Sequence, residues 1–172
     1  PNTGGTQMTL PDTITNWINS NNNLDGDTTI NQNGVESVND AVAIDFDDNG
    51  RATDVIYVVN TDGTGRSEVM LLLLTQDIRV SIGTGTGNDA KQVEVVDLNG
   101  DGVLDIVVGY AAGPTGFKTL KVFYGTPESR DTAAAGNTPD LSGIVPEDLG
   151  TETQTIESLT VVDVNDDGNP DI

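Results

Sequence analysis

From residue 41 onward, runs of Val, Ile, Leu and Ala alternate with stretches of Asp, Asn, Gly and Thr. The apolar runs are short and rich in β-branched residues, which suits strands rather than helices. Strands are expected at 41–45, 54–60, 68–74 and 78–82, then again at 92–97, 106–110 and 119–124. Gly-rich stretches at 61–65, 83–87 and 113–116 read as the turns between them. The pattern is a β-meander in cycles of four strands. In the second cycle the outer strand is replaced by 126–155, a stretch rich in Pro, Gly, Thr and Ala that reads as an insertion or long loop. Residues 1–40 are polar and stand apart. Ile14, Trp17 and Ile18 have i, i+3, i+4 spacing, which predicts a short helix after Pro11-Asp12. Otherwise this segment offers itself as an arm for assembly.

Three of the polar stretches share a finer pattern. Oxygen-bearing side chains fall at loop positions 1, 3 and 5, and a glycine at 6. They are Asp97, Asn99, Asp101 and Gly102, then Asp163, Asn165, Asp167 and Gly168, and earlier Asp45, Asp47, Asn49 and Gly50. An Asp closes each loop, at position 9 in two of them (Asp105, Asp171) and at position 10 in the earliest (Asp54). A hard divalent cation takes about six to eight oxygens, and a glycine lets the chain curl around it. Asp-Gly and Asn-Gly steps are also ordinary turn formers. That accounts for any one glycine, but not for oxygen ligands at positions 1, 3 and 5 three times over. The first half of the pattern is shared with the EF-hand, which closes on a Glu at position 12 between helices. Here position 12 of the second loop is Val108, and the flanks are strand-like. The echo at 21–27 has too few carboxylates and reads as a turn.

Loops of this kind between strands resemble the FG-GAP/VCBS repeat, closely over 93–110 and 159–172 and more loosely over 41–60. The resemblance implies an all-β fold of β-propeller-type four-stranded blades. It covers 41–172, about two and a half blades, so the ring is incomplete. Carried over by position, it implies side-chain ligands Asp97, Asn99, Asp101 and Asp105 in the second loop, with the carbonyl of Val103. In the third they are Asp163, Asn165, Asp167 and Asp171, with the carbonyl of Asn169. In the first they are Asp45, Asp47, Asn49 and Asp54, with the carbonyl of Arg51. There the extra residue leaves two arrangements: the loop bulges and Asp54 still reaches, or Thr53 takes the ninth position. The implied cofactor is Ca2+, two to three ions, since Mg2+ prefers rigid octahedral sites that keep several waters. The spacing from Asp45 to Asp97 is 52 residues and from Asp97 to Asp163 is 66, as a repeat with one insertion would give.

Composition narrows the function. The 172 residues carry 28 acids against 7 bases, a formal charge of -21. That argues against nucleic acid, whose phosphates call for Lys and Arg clusters. There is no Cys and no His, so thiol chemistry, disulfides and the usual general base are all missing. No apolar run approaches membrane-spanning length. Catalysis is not expected, because the acids at regular positions already have a role as ligands. The sequence therefore points to an extracellular, calcium-stabilised structural or adhesion module. Its open sheet edges suggest a homo-oligomer, the protomer of a surface filament, or a fragment of a larger propeller. The alternative is a carbohydrate-binding module, or a non-catalytic part of a secreted hydrolase, with Trp17, Tyr57, Tyr110, Phe117 and Tyr124 as the aromatics available to a sugar.

Overall fold

The computed structural model describes residues 37–61, 66–85, 89–113, 118–141, 143–149 and 154–172. The expected helix at 14–18, the echo at 21–27 and the turn tips at 62–65, 86–87 and 114–116 lie outside them. The described chain is nearly all β. One antiparallel meander holds β1 (Ser37–Ile44), β2 (Asp54–Thr61), β3 (Arg66–Leu73) and β4 (Ile78–Gly85) in that order. A second holds β5 (Ala90–Val96), β6 (Asp105–Tyr110), β7 (Leu120–Phe123) and β8 (Pro146–Leu149). No closed ring forms among the described residues.

The stretch 126–149 departs from expectation. It is not a loop in place of an outer strand, because it contains that strand. Helix α1 (Pro127–Ala134) comes first, and β8 then returns to pair with β7. Thr126 caps the helix in a reciprocal box with Ser129, and Pro127 occupies the first turn, where its missing N–H costs nothing.

The inner strands β2, β3 and β6 are apolar on consecutive residues because both of their faces are covered. In β2, Ile56 and Val58 point into a core shared by the two sheets, with Val69, Leu71, Val93, Ile106, Val108 and Phe123. Val55, Tyr57 and Val59 point the other way and cluster with Met70 and Leu72. The far face of the second sheet, Val107 and Val122, packs on Ile156, Leu159 and Val161 of the third repeat. The order of packing is therefore first sheet, second sheet, then the segment that ends in the third loop.

Edge strand β5 is bound to the first sheet by side chains. Asp40 Oδ2 accepts from the Val93 amide at 3.0 Å, and Ser67 Oγ accepts from the Ala90 amide at 2.6 Å. Asn39 Nδ2 donates to the Ala90 carbonyl. The proximity of Asp40 and partial burial push the Glu94 carboxyl above its ordinary value, burial being the larger cause.

Candidate metal centre

The three loops share one backbone. Position 4 is left-handed in each (Asp48, Gly100 and Asp166, φ 53°, 74° and 60°), and so is position 6 (Gly50, Gly102 and Gly168, φ 80°, 83° and 90°). In each, the position-6 amide donates to the first Asp: Gly50 to Asp45 at 2.8 Å, Gly102 to Asp97 at 2.9 Å and Gly168 to Asp163 at 2.8 Å. The position-5 amide also donates to that Asp at 2.8–3.1 Å. The closing Asp accepts from the position-2 amide: Asp54 from Phe46 at 3.0 Å, Asp105 from Leu98 at 2.9 Å, Asp171 from Val164 at 3.0 Å. These amides turn the carboxylates inward and hold them there.

The first loop, the least regular in sequence, is the most compact. Asp45, Asp47 and Asp54 each bring an oxygen within 4.8 Å of the others, and this is the one such group of three among the described residues. The extra residue is taken up in a tight turn, where the Thr53 amide donates to the Arg51 carbonyl at 2.7 Å. Asp54, not Thr53, therefore stands at the closing position. Asp54 is fully buried. Its Oδ2 accepts from the Phe46 and Asp47 amides, the latter at 3.3 Å, while its Oδ1 is buried with no hydrogen-bond partner. Burial first, and then the charge of Asp47, push this carboxyl up to about 6, against the pull of its two amides. Asn49 is exposed, and its amide serves Asp45 and Asp47.

In the second loop Asn99 and Asp101 are exposed and linked, Asn99 Nδ2 to Asp101 Oδ2 at 3.0 Å. Asp101 Oδ1 accepts from the Val103 amide at 2.8 Å. Asp105 is buried with both oxygens engaged, Oδ1 accepting from the Gly125 amide at 2.9 Å. Burial raises its carboxyl, and these amides counter the rise. The third loop is open to solvent. Asn165 Oδ1 accepts from the Asp167 amide at 2.9 Å, and Asp167 Oδ1 from the Asn169 amide at 2.8 Å, which lowers the Asp167 carboxyl.

Two contributors have no local signal in the sequence. Gln76, on the β3–β4 turn, donates Nε2 to Asp47 Oδ2 at 3.0 Å across 29 residues. Gly125 reaches Asp105 from beyond β7 and lies so close to the Leu104 carbonyl that a Cβ would stand 2.3 Å from that oxygen. The sugar-stacking aromatics fare differently. Tyr57 and Tyr110 are core residues, Tyr124 is half-buried, and Trp17 and Phe117 fall outside the described residues.

An all-oxygen donor set, anionic and with one buried oxygen lacking a donor, fits a hard cation such as Ca2+. Asp45, Asp47 and Asp54 are the residues that could hold it in the first loop. No helix among the described residues is long and apolar enough to cross a membrane. No curated protein and no solved structure matches the chain. Residues 92–120, which run from β5 through the second loop and β6 to the start of β7, match the FG-GAP repeat, a unit of β-propeller blades, and the two four-stranded antiparallel sheets are consistent with that match.

Proposed function

We propose that the chain is a non-catalytic, extracellular structural or adhesion module whose β-blades are stapled by Ca2+ at the three loops. One observation carries this reading: the buried, partnerless Oδ1 of Asp54 beside Asp45 and Asp47. Two like charges about 4 Å apart cost on the order of 4 kcal/mol at an effective dielectric near 20. A divalent cation turns that repulsion into attraction, and only the folded loop gathers the ligands. At about 100 times its dissociation constant, each ion would add roughly 2.7 kcal/mol to stability. Calorimetric melts in Ca2+ and in EGTA test this. A melting temperature at least about 5 °C higher in Ca2+ is expected, and equal melts in the two buffers would remove the cation from the reading.

A second reading, assembly through a sheet edge, is favoured by the third repeat. Val162, Val164 and Ile172 are 51%, 75% and 49% exposed, while Ile44, Phe46 and Val55 at the matching places of the first repeat are at most 7% exposed. A β-strand from a second copy would cover them. Sedimentation tests it: self-association that is lost in Val164→Lys is expected, and a monomer at all concentrations would reject it.

A further inference from the structure

Helix α1 lies between the first two loops and is bonded toward both. At its C-terminal end the Ala133 carbonyl accepts from Gln76 Nε2 at 2.9 Å, the same nitrogen that donates to Asp47. At its start, Gly125, next to the cap Thr126, donates to Asp105. Midway, Arg130 Nη1 donates to the Gly102 carbonyl at 3.4 Å. The path Asp47, Gln76, α1, Gly125, Asp105 is unbroken.

The path is also well fixed. Ala133 and Ser129 are fully buried, and Asp47 is 5% exposed, so the two Gln76 bonds are partly shielded from water. Turning the Gln76 amide over would set its oxygen against two acceptors, the Asp47 carboxylate and the Ala133 carbonyl. Asp47 thus has one oxygen committed to Gln76 and the other facing the Asn49 amide, and Gln76 is itself anchored to α1, the helix between β7 and β8.

We propose that Gln76 is a positioning residue for Asp47 and that, through α1, cation binding at the first loop is favourably coupled to binding at the second. The coupling rests on the cation reading of the loops. An ion at the second loop fixes Asp105 and with it Gly125 and the start of α1. The helix then holds Gln76, and Asp47 meets its ion already oriented, so less ordering remains to be done. Through space, two cations repel, so electrostatics alone gives the opposite sign. The sign of the coupling is therefore diagnostic.

The position-6 glycine amides report each loop separately, because each is bonded to that loop's first Asp. Ca2+ titrations of the intact chain, followed by the 15N–1H shifts of Gly50, Gly102 and Gly168, measure three dissociation constants. Asp97→Asn, which disables the second loop, is expected to weaken binding at Gly50 about fivefold. Gln76→Leu is expected to weaken it about tenfold, to leave Gly168 within about twofold and to abolish the response to Asp97→Asn. Gln76→Asn, too short to reach both acceptors, serves if the leucine variant does not fold. Gln76→Leu should melt somewhat lower than the parent chain in EGTA, because the Ala133 carbonyl loses its Gln76 donor, so the contrast between Gly50 and Gly168, and not the melt, reads the positioning role. Unchanged or tighter binding at Gly50 in Asp97→Asn overturns the coupling. Parental binding at Gly50 in Gln76→Leu, or equal weakening at Gly168, overturns the positioning role. If no glycine amide of the parent chain moves with Ca2+, the cation reading itself falls, and this proposal with it.

Discussion

Ile44 stands directly opposite Asp54 across the first loop, just as Val96 stands opposite Asp105 and Val162 opposite Asp171. Ten positions separate the first pair and nine each of the others, yet the same backbone pairing closes all three. The register agrees further along. In β1 and in β5 the ladder skips one residue, Asn39 and Lys91, five positions before the closing pair. The closing Asp is thus placed by strand pairing, and the loop between accommodates its own length.

It follows that the extra residue of the first loop is dispensable. Deleting Ala52, within the tight turn closed by Thr53 and Arg51, should leave Asp54 opposite Ile44. The variant is expected to melt within about 4 °C of the parent, a change of about 1 kcal/mol, and to keep its response to Ca2+. Loss of that response on calorimetry would show that the ten-residue spacing itself matters.

The closing Asp residues should answer differently to amide substitution. Asp54 Oδ1 faces no donor, so Asp54→Asn can direct its NH2 there and shed a costly charge. In EGTA near neutral pH it is expected to melt no lower than the parent, while in Ca2+ it loses about 5 °C or more. Both oxygens of Asp105 accept backbone amides. Asp105→Asn must therefore oppose an NH2 to one N–H, at about 1–3 kcal/mol, and should melt lower in EGTA as well. Parallel melts of the two variants check the contrast.

Acid should weaken the first site. The Asp54 carboxyl is raised from 3.8 to about 6 in the fold by burial and by Asp47. A raised folded-state value means that the metal-free protein gains stability from the proton below about pH 4 and loses that contribution as pH rises through about 6. A cation competes with the same proton, so affinity at the first loop should fall about tenfold from pH 7.5 to pH 5. The exposed third loop, with Asp167 lowered, should change far less. Titrations followed at Gly50 and Gly168 compare them directly.

The loops were legible in the sequence because their ligands lie within ten residues of one another, and most strands because β-branched runs are local. What escaped was of two kinds. Helix α1 caps with Ser129 at the third position rather than Glu or Gln, and β8 reads Pro-Glu-Asp-Leu, a poor strand that pairs on one side as an edge. Tertiary pairing with β7 outweighs its composition. The other kind is non-local. Gln76 becomes part of the first site only when the β3–β4 turn and α1 are brought together, which no spacing in the chain announces. Even the doubt between Thr53 and Asp54 needed the ladder, since only the pairing with Ile44 decides it.

The stacking of the third repeat on the second sheet can be tested at one glycine. A Cβ on Gly109 would lie 2.6 Å from Ile156 Cγ2, and the Ile156 amide donates to the neighbouring Tyr110 carbonyl at 3.0 Å. There is no room for a methyl group, and the backbone bond keeps Ile156 from retreating. Gly109→Ala is expected to cost about 1–3 kcal/mol through overpacking. Ile156→Ala alone opens a gap in the cluster with Val107, Val122 and Leu159 and should cost about 2–5 kcal/mol. The double variant exchanges one methyl for the space the other vacates, so it should be more stable than the two separate losses add to. Denaturant melts of the four proteins give the coupling energy. A value near zero would mean that the third repeat does not rest on β6, whereas a favourable coupling of about 1 kcal/mol or more, typical of residues in contact, is what face-to-face stacking requires.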